Sequence, residues 1–304
     1  MGGVATALEE LTLVLFSTLA PAGVCACVVI SLAAVWGVSD TAERARLQHM
    51  CAVPLFLAMA GLVMSATHLG TPTNALYVVD GIGRSPLSNE VATCVLFMGS
   101  SGMFWLYSFS LEPSALLQKA WTVANAVLGG ICLASISLAY NSPTILTWST
   151  PFVPLSVWLE AGAGGPLLAF LVLRASSAEL ANVVERGTRV AGFICFAASV
   201  VVLTAQYIHV LTLESEVVSA ASLIPGYPIV LLLYSIAGTT AYWITDSQVS
   251  SVSSPCIPAL PHAVAELAES KLTWSVVASA LFLIGLFAVR FCFYMMHLTY
   301  GIGF

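Results

Sequence analysis

Long, unbroken apolar stretches separated by short polar connections dominate the sequence. A transmembrane helix needs about 20 mostly apolar residues. Eight stretches meet that length, at about 11–37, 49–69, 89–110, 117–140, 151–174, 189–213, 223–245 and 272–297. The runs are continuous rather than alternating, so they predict helices and not the strands of a membrane barrel. Helices also satisfy their own backbone polar groups in lipid, which an irregular backbone does not. The expected fold is therefore all-α and polytopic: one integral membrane domain over 1–304, with eight transmembrane helices in two packed four-helix bundles. The third span has a legible start, with Ser88 as the expected N-cap and Glu90 in the first turn, where a negative charge suits the helix dipole. The Ser- and Pro-rich stretch at 246–271 is expected to be irregular, or to form a short interfacial helix near "AVAELAESK".

Composition agrees with the pattern. The protein is 59% hydrophobic and 8% charged, with a mean hydropathy of +0.96. Soluble domains carry about a quarter charged residues, so a soluble globular protein is excluded. Net charge is −6 and there is no basic patch, which leaves nucleic-acid binding without a footing. The eight Cys lie mostly inside apolar runs and form neither a disulfide framework nor an iron–sulfur ligand set.

Charge also sets orientation. Arg44, Arg46, Lys119, Arg174, Arg186, Arg189 and Lys271 fall in the loops after spans one, three, five and seven; only Arg84 falls on the opposite side. The positive-inside rule then places both termini, and the loop from His68 to Glu90, outside the cytoplasm.

Ionisable side chains inside lipid are expensive and point to function by default. His68, Arg84, Glu90, His209, Arg290 and His297 all map to the outer third of the membrane or its outer edge. Glu160 is the deep exception, about 15 Å into span five at 1.5 Å per residue. Gly162, Gly164, Gly165 and Pro166 follow it. That stretch reads either as a loosened helix beside a proton-path acid, or as close helix packing beside a hydrogen-bonded Glu.

His68 and Glu90 end two neighbouring spans. A quinol gives up two electrons and two protons, and histidine is the side chain best poised to accept a proton near neutral pH. A nearby carboxylate can orient the imidazole or carry the proton to water. The alternative is that His68 snorkels to the headgroups and Glu90 only caps its helix. Axial haem ligation needs His at matched depth on facing helices. His68, His209 and His297 offer matched depth, but paired His at two depths are missing, so no haem or metal is expected in this protein.

The stretch "HLGTPTNAL…SPLSNE" resembles the His-Leu-Gly-x-Pro…Ala and Leu-Ser-x-Glu signature of the DmsC family, the membrane anchor subunits of dimethyl sulfoxide reductase-type molybdoenzymes. The opening "ELTLVLFSTLAPAGVCA" looks like that family's first span. The ending "RFCFYMMHLTYGIGF" looks like its closing pattern, through Arg290, Phe293, Tyr294, His297, Thr299 and Gly301. Two positions depart from the pattern: Thr71 and Asn89 stand where the family usually has basic residues. The resemblance implies eight spans, no haem, and a menaquinol site at the outer end of the bundle, with His68 and Glu90 serving quinol oxidation. Arg290 and His297 are expected to help line that outer pocket. The resemblance also implies two partners: a ferredoxin-like subunit with four [4Fe–4S] clusters and a catalytic subunit with a molybdenum bis-pterin cofactor. Two rivals remain at this level. One is a secondary transporter built on Glu160 and a Gly/Pro-broken helix; the other is a structural anchor without a working quinol site.

Overall fold

The computed structural model describes residues 3–67, 77–214, 218–250 and 261–299. Its elements, in sequence order, are α1 (Gly3–Glu9), α2 (Leu11–Trp36), α3 (Thr41–Met50), α4 (Ala52–Thr67), α5 (Tyr77–Asp80), α6 (Pro86–Tyr107), α7 (Ala115–Ala139), α8 (Phe152–Ala175), α9 (Asn182–Val210), α10 (Ala220–Leu223), α11 (Tyr227–Ser250) and α12 (Pro261–Met295). Among the described residues no strand forms beyond two isolated bridges, Ile145 with Thr299 and Glu214 with Ser219.

Among the described residues, seven helical stretches are long and apolar enough to cross a membrane: Leu11–Trp36, Thr41–Thr67, Ala115–Ala139, Phe152–Ala175, Asn182–Val210, Tyr227–Ser247 and Glu269–Met295. The expected span at 89–110 does form a helix of 22 residues, α6, but is not among the seven. Asn89, Glu90 and the run Gly99–Ser100–Ser101–Gly102 hold its hydropathy down.

Local chemistry moves two expected boundaries. Ser85, not Ser88, caps α6: its hydroxyl accepts from the Ser88 amide at 3.5 Å. Pro86 follows at the start of the helix, where its fixed φ fits and its missing N–H costs nothing. Glu90 therefore lies beyond the first turn and caps nothing. Towards the C-terminus, "AVAELAESK" is neither a loop nor a separate interfacial helix. It is continuous with α12, as its helix-favouring Ala, Glu and Leu allow.

Packing is organised around α2, α8 and α12. α2 packs most extensively on α4 and α8, and also meets α7 and α12; α8 packs on α9 and α12; α6 pairs with α7, and α11 with α12. Lipid gives no hydrophobic drive between helices, so close approach depends on small residues. Gly23 of α2 faces the Pro54 carbonyl and Ala58 of α4, and Gly61 of α4 faces Ala20 of α2. The expected break at Gly162–Pro166 does not occur, because α8 runs unbroken through Pro166. Its glycines are packing positions: a Cβ on Gly165 would lie 2.6 Å from the Cys25 sulfur of α2. One turn from the proline, the Tyr242 hydroxyl donates to the Ala163 carbonyl at 2.6 Å, which braces the helix.

α6 shows how this packing aims side chains. Ser88, Glu90, Cys94, Phe97, Ser101 and Phe104 are buried, whereas Leu87, Val95, Leu96, Met103 and Leu106 are exposed. From Glu90 on, the buried set recurs every three or four residues, one face of a helix. Along that face the Cys94 sulfur lies 3.2 Å from Cys132 of α7. A disulfide needs about 2.05 Å, so a small approach would join the helices. Treating membranes with a copper–phenanthroline oxidant is expected to remove both thiols from maleimide labelling together, and Cys132→Ser to leave Cys94 reduced. Continued maleimide labelling of wild-type Cys94 after oxidation would contradict the α6–α7 register.

Candidate functional site at the outer end of the bundle

Glu90 stands near the N-terminal end of the buried face of α6. Its placement begins in the turn before the helix. Gly83 adopts a left-handed φ of 81°, and its amide donates to Asn89 Oδ1 at 2.6 Å. Asn89, one of the two departures from the family pattern, thus ties the turn to the helix start. Gly81 packs directly on Ser88, and the Arg84 guanidinium donates to the Asp80 carbonyl. These contacts fix the first turn, and one residue on, Glu90 points inward and is only 2% exposed. Its Oε1 has no hydrogen-bond partner.

Two tyrosines share this level. Tyr140 caps the C-terminus of α7, and Tyr294 lies one residue before the end of α12; both are buried. Their rings meet edge-on, with centroids 6.0 Å apart. The Tyr294 hydroxyl also donates to the Leu13 carbonyl in the first turns of α2, at 3.1 Å. Over them folds the α7–α8 connection. The Trp148 ring stacks on Phe293 at 4.6 Å and meets Tyr140 and Tyr294 edge-on. Its indole N–H donates to the Phe293 carbonyl at 3.2 Å. Thr147 donates to the Met296 carbonyl, and Leu146 N–H donates to the Leu298 carbonyl at 2.8 Å. The connection is thereby pinned across the end of α12, and the polar layer beneath it is shielded from water.

The site residues expected from the sequence separate into distinct settings. His68 lies outside the described residues; α4 ends at Thr67, immediately before it. His297 is exposed beside the same aromatic cover, edge-on to Trp148 at 5.3 Å. His209 is half-buried beside Phe152. Arg290 does not line the outer surface. It turns inward, 2% exposed, and pairs with Glu160 of α8, which is buried to the same degree. The guanidinium also sits 5.7 Å from the centre of the Phe293 ring. Beyond the pair, Glu160 Oε1 and Arg290 Nε have no hydrogen-bond partner. Among the described residues no group of three or more His, Cys, Asp or Glu is placed to hold a metal ion.

The pair was legible in principle: an arginine inside a span needs a counter-charge, and Glu160 is the deep acid available. The tyrosines left a weaker signal, because aromatic residues near span ends usually mark the membrane interface.

Compared with known proteins, residues 4–272 match the family model described as DMSO reductase anchor subunit (DmsC). The protein belongs to the DmsC family. It is similar to the C subunit of anaerobic dimethyl sulfoxide reductase from Escherichia coli (strain K12), at 29% identity over 280 residues, 91% of the length of each. The anaerobic dimethyl sulfoxide reductase subunit YnfH of the same organism is 29% identical over 220 residues, covering 72% of this protein and 76% of its own length. The corresponding C subunit from Haemophilus influenzae is 26% identical over 252 residues, covering 82% and 89%. With its apolar helices, this DmsC protein is an integral membrane anchor of a dimethyl sulfoxide reductase-type complex. The family match ends at residue 272, before Arg290, so the Arg290–Glu160 pairing rests on the structure alone.

Removing one partner of a buried ion pair costs about 3–5 kcal/mol, whereas replacing both by apolar residues is often neutral. Glu160→Gln is therefore expected to destabilise the detergent-solubilised protein by about 3–5 kcal/mol, and adding Arg290→Met to recover most of that loss. Thermal unfolding followed by tryptophan fluorescence measures both; a Glu160→Gln variant as stable as wild type would show that the pair does not form.

Proposed function

We propose that this DmsC protein is the quinol-oxidising subunit of its complex, with menaquinol as donor and with His68 and Glu90 as the residues that take its protons. The observation that carries the reading is the position of Glu90. A carboxylate that neither caps its helix nor reaches water, at the outer end of a buried helix face, has no structural duty that explains its cost in lipid. Burial makes it a competent proton acceptor, because protonation removes a charge from a low-dielectric site. His68 follows Thr67, the last residue of α4, and α4 packs against α6.

In this reading α6 is an eighth span, and the helices form two four-helix groups. α2, α4, α6 and α7 make one, α8, α9, α11 and α12 the other, and they meet along α2 and α8. The pattern of helix contacts supports the grouping. The distribution of Lys and Arg supports extracytoplasmic termini and an extracytoplasmic docking face for the partners. Menaquinol enters from lipid between the outer ends of α4 and α6. His68 takes one proton or hydrogen-bonds the hydroxyl. Glu90 orients the imidazole or takes the other proton. The electrons pass to a four-cluster ferredoxin-like subunit, and from there to a molybdenum bis-pterin catalytic subunit. The anchor itself holds no haem or metal. His297, exposed beside Trp148, borders the outer mouth. Arg290 and Glu160 are the charged floor beneath it, and any proton path through Glu160 begins at that pair.

Positioned acid–base groups contribute about 10²–10⁴-fold to rate. His68→Ala and Glu90→Gln are each expected to lower quinol-dependent sulfoxide reduction by about 10²–10⁴-fold in the reconstituted complex. Reduction driven by an artificial one-electron donor that feeds the catalytic subunit directly should stay at the wild-type rate. Unchanged quinol-dependent rates in both variants, with partners still bound, would sink the assignment. In the purified wild-type complex, metal analysis is expected to return molybdenum and iron, and the optical spectrum to lack a haem Soret band.

A further inference from the structure

Two small cavities of equal size lie between the helices, and their walls differ. Each offers about 10 Å³ to the centre of a water-sized sphere. One is lined by Leu47, Phe170, Leu173 and other apolar side chains, with Thr188 as its one polar residue. The other is lined by Ser31 of α2, Gln48 of α3, Ser101 and Phe104 of α6 and Asn125 of α7, among others. All five of these residues are buried. This polar cavity is separate from the Glu90 site. Ser101 lies about 16 Å along α6 from Glu90, at 1.5 Å per residue. Phe97, packed on Gly129 of α7, lies between them on the same buried face.

The hydrogen bonds around the polar cavity assign its free atoms. An indole nitrogen only donates, and Trp121 Nε1 donates to Ser100 Oγ at 3.1 Å. Ser100 in turn gives its one hydroxyl proton to Asn125 Oδ1 at 2.6 Å. The Asn125 oxygen is thus fixed toward Ser100, and its Nδ2 is the end left for another partner. Gln48 is oriented in the same manner. Its Oε1 accepts from Gln118 Nε2 at 3.4 Å. Its Nε2 is a buried donor with no partner among the described residues, and Ser101 Oγ is a second buried polar atom without one. Gln48 is 3% exposed and Ser101 6%, so bulk water reaches neither. A buried donor or acceptor left unpaired loses its bond to water and gains nothing in return.

We propose that this cavity is a binding site for one ordered water molecule, which joins α3 to α6 and α7. The space is just large enough for a water and too small for any larger ligand. Buried waters make about three hydrogen bonds, to polar groups that otherwise go unpaired. Here the water oxygen accepts from the Gln48 and Asn125 amides, and one of its protons goes to Ser101 Oγ. The equal cavity beside Phe170 offers a water no such set of partners and stays dry, as apolar cavities do. The bound water makes a polar joint in the last turns of α6, at the end away from Glu90. It ties α3, the short helix that carries Arg44 and Arg46, to the paired spans α6 and α7. The site does not depend on which donor the complex oxidises.

The test is hydroxyl-radical footprinting of the intact complex in lipid nanodiscs. X-ray radiolysis makes radicals from water, bound water included, and these modify the side chains beside it. Phe104 and Phe170 form a matched pair. They are the same residue type, 5% and 2% exposed, and each lines one cavity. Phe104 is expected to be modified about tenfold faster than Phe170. Ser101→Val fills the polar cavity with methyl groups, and should bring Phe104 down to the Phe170 rate while leaving Phe170 unchanged. Equal rates at the two residues in wild type would overturn the site without any variant having to fold. So would a fast Phe104 rate that Ser101→Val does not lower. A density map of the complex fine enough to show waters gives a second readout. A peak within about 3.2 Å of both Gln48 Nε2 and Ser101 Oγ is expected, and a cavity without one would overturn the site.

Discussion

The architecture turns on one electrostatic constraint: Arg290 and Glu160 face each other where water does not reach. Taking either charge out of water costs several kcal/mol, and only its partner repays that cost. The pair therefore fixes α8 and α12 in depth and rotation, since a slip of one residue would turn one charge into lipid or apolar core. α2 lies against both helices, and its small residues let it come close. The pair's neighbours share this discipline. Phe293 offers its ring to the guanidinium.

That anchoring shapes the outer end. Tyr294 is carried on the helix that Arg290 holds, and the same helix end receives Thr147 and Leu146 from the α7–α8 connection. Trp148 then closes over Tyr140 and Tyr294. A buried charge pair and an aromatic cluster of Tyr140, Trp148, Phe293 and Tyr294 thus stack along the end of α12. In such a low-dielectric stack small differences in position have large electrostatic effects.

The spans were legible because lipid enforces a simple rule on length and polarity. Expected and observed boundaries differ by one or two residues for α2, α7 and α8, where apolar residues begin and end abruptly. They differ more where helix-favouring polar sequence continues past the membrane, at the starts of α9 and α12, since hydropathy is blind to a helix that leaves the apolar layer. The α6 cap was misplaced because Ser85 and Ser88 are equally good candidates by type. Pro86 decides between them through its ring and its missing amide hydrogen. The glycines after Glu160 allowed both a broken helix and a close-packed one; only the presence of Cys25 and Ala22 of α2 against them selects the second.

Length, hydropathy and the few charged residues determined by themselves that this is a helical membrane protein, roughly where its spans lie, and which short motifs align it with the DmsC anchors. Those properties are local or summed over a window, and lipid reads them as such. Tertiary structure decided which side chains meet. Glu160 with Arg290, Tyr294 with Leu13, and Cys94 with Cys132 each join residues from different helices. Their partnership depends on the rotation and depth at which those helices pack, and no periodicity within a single span encodes that.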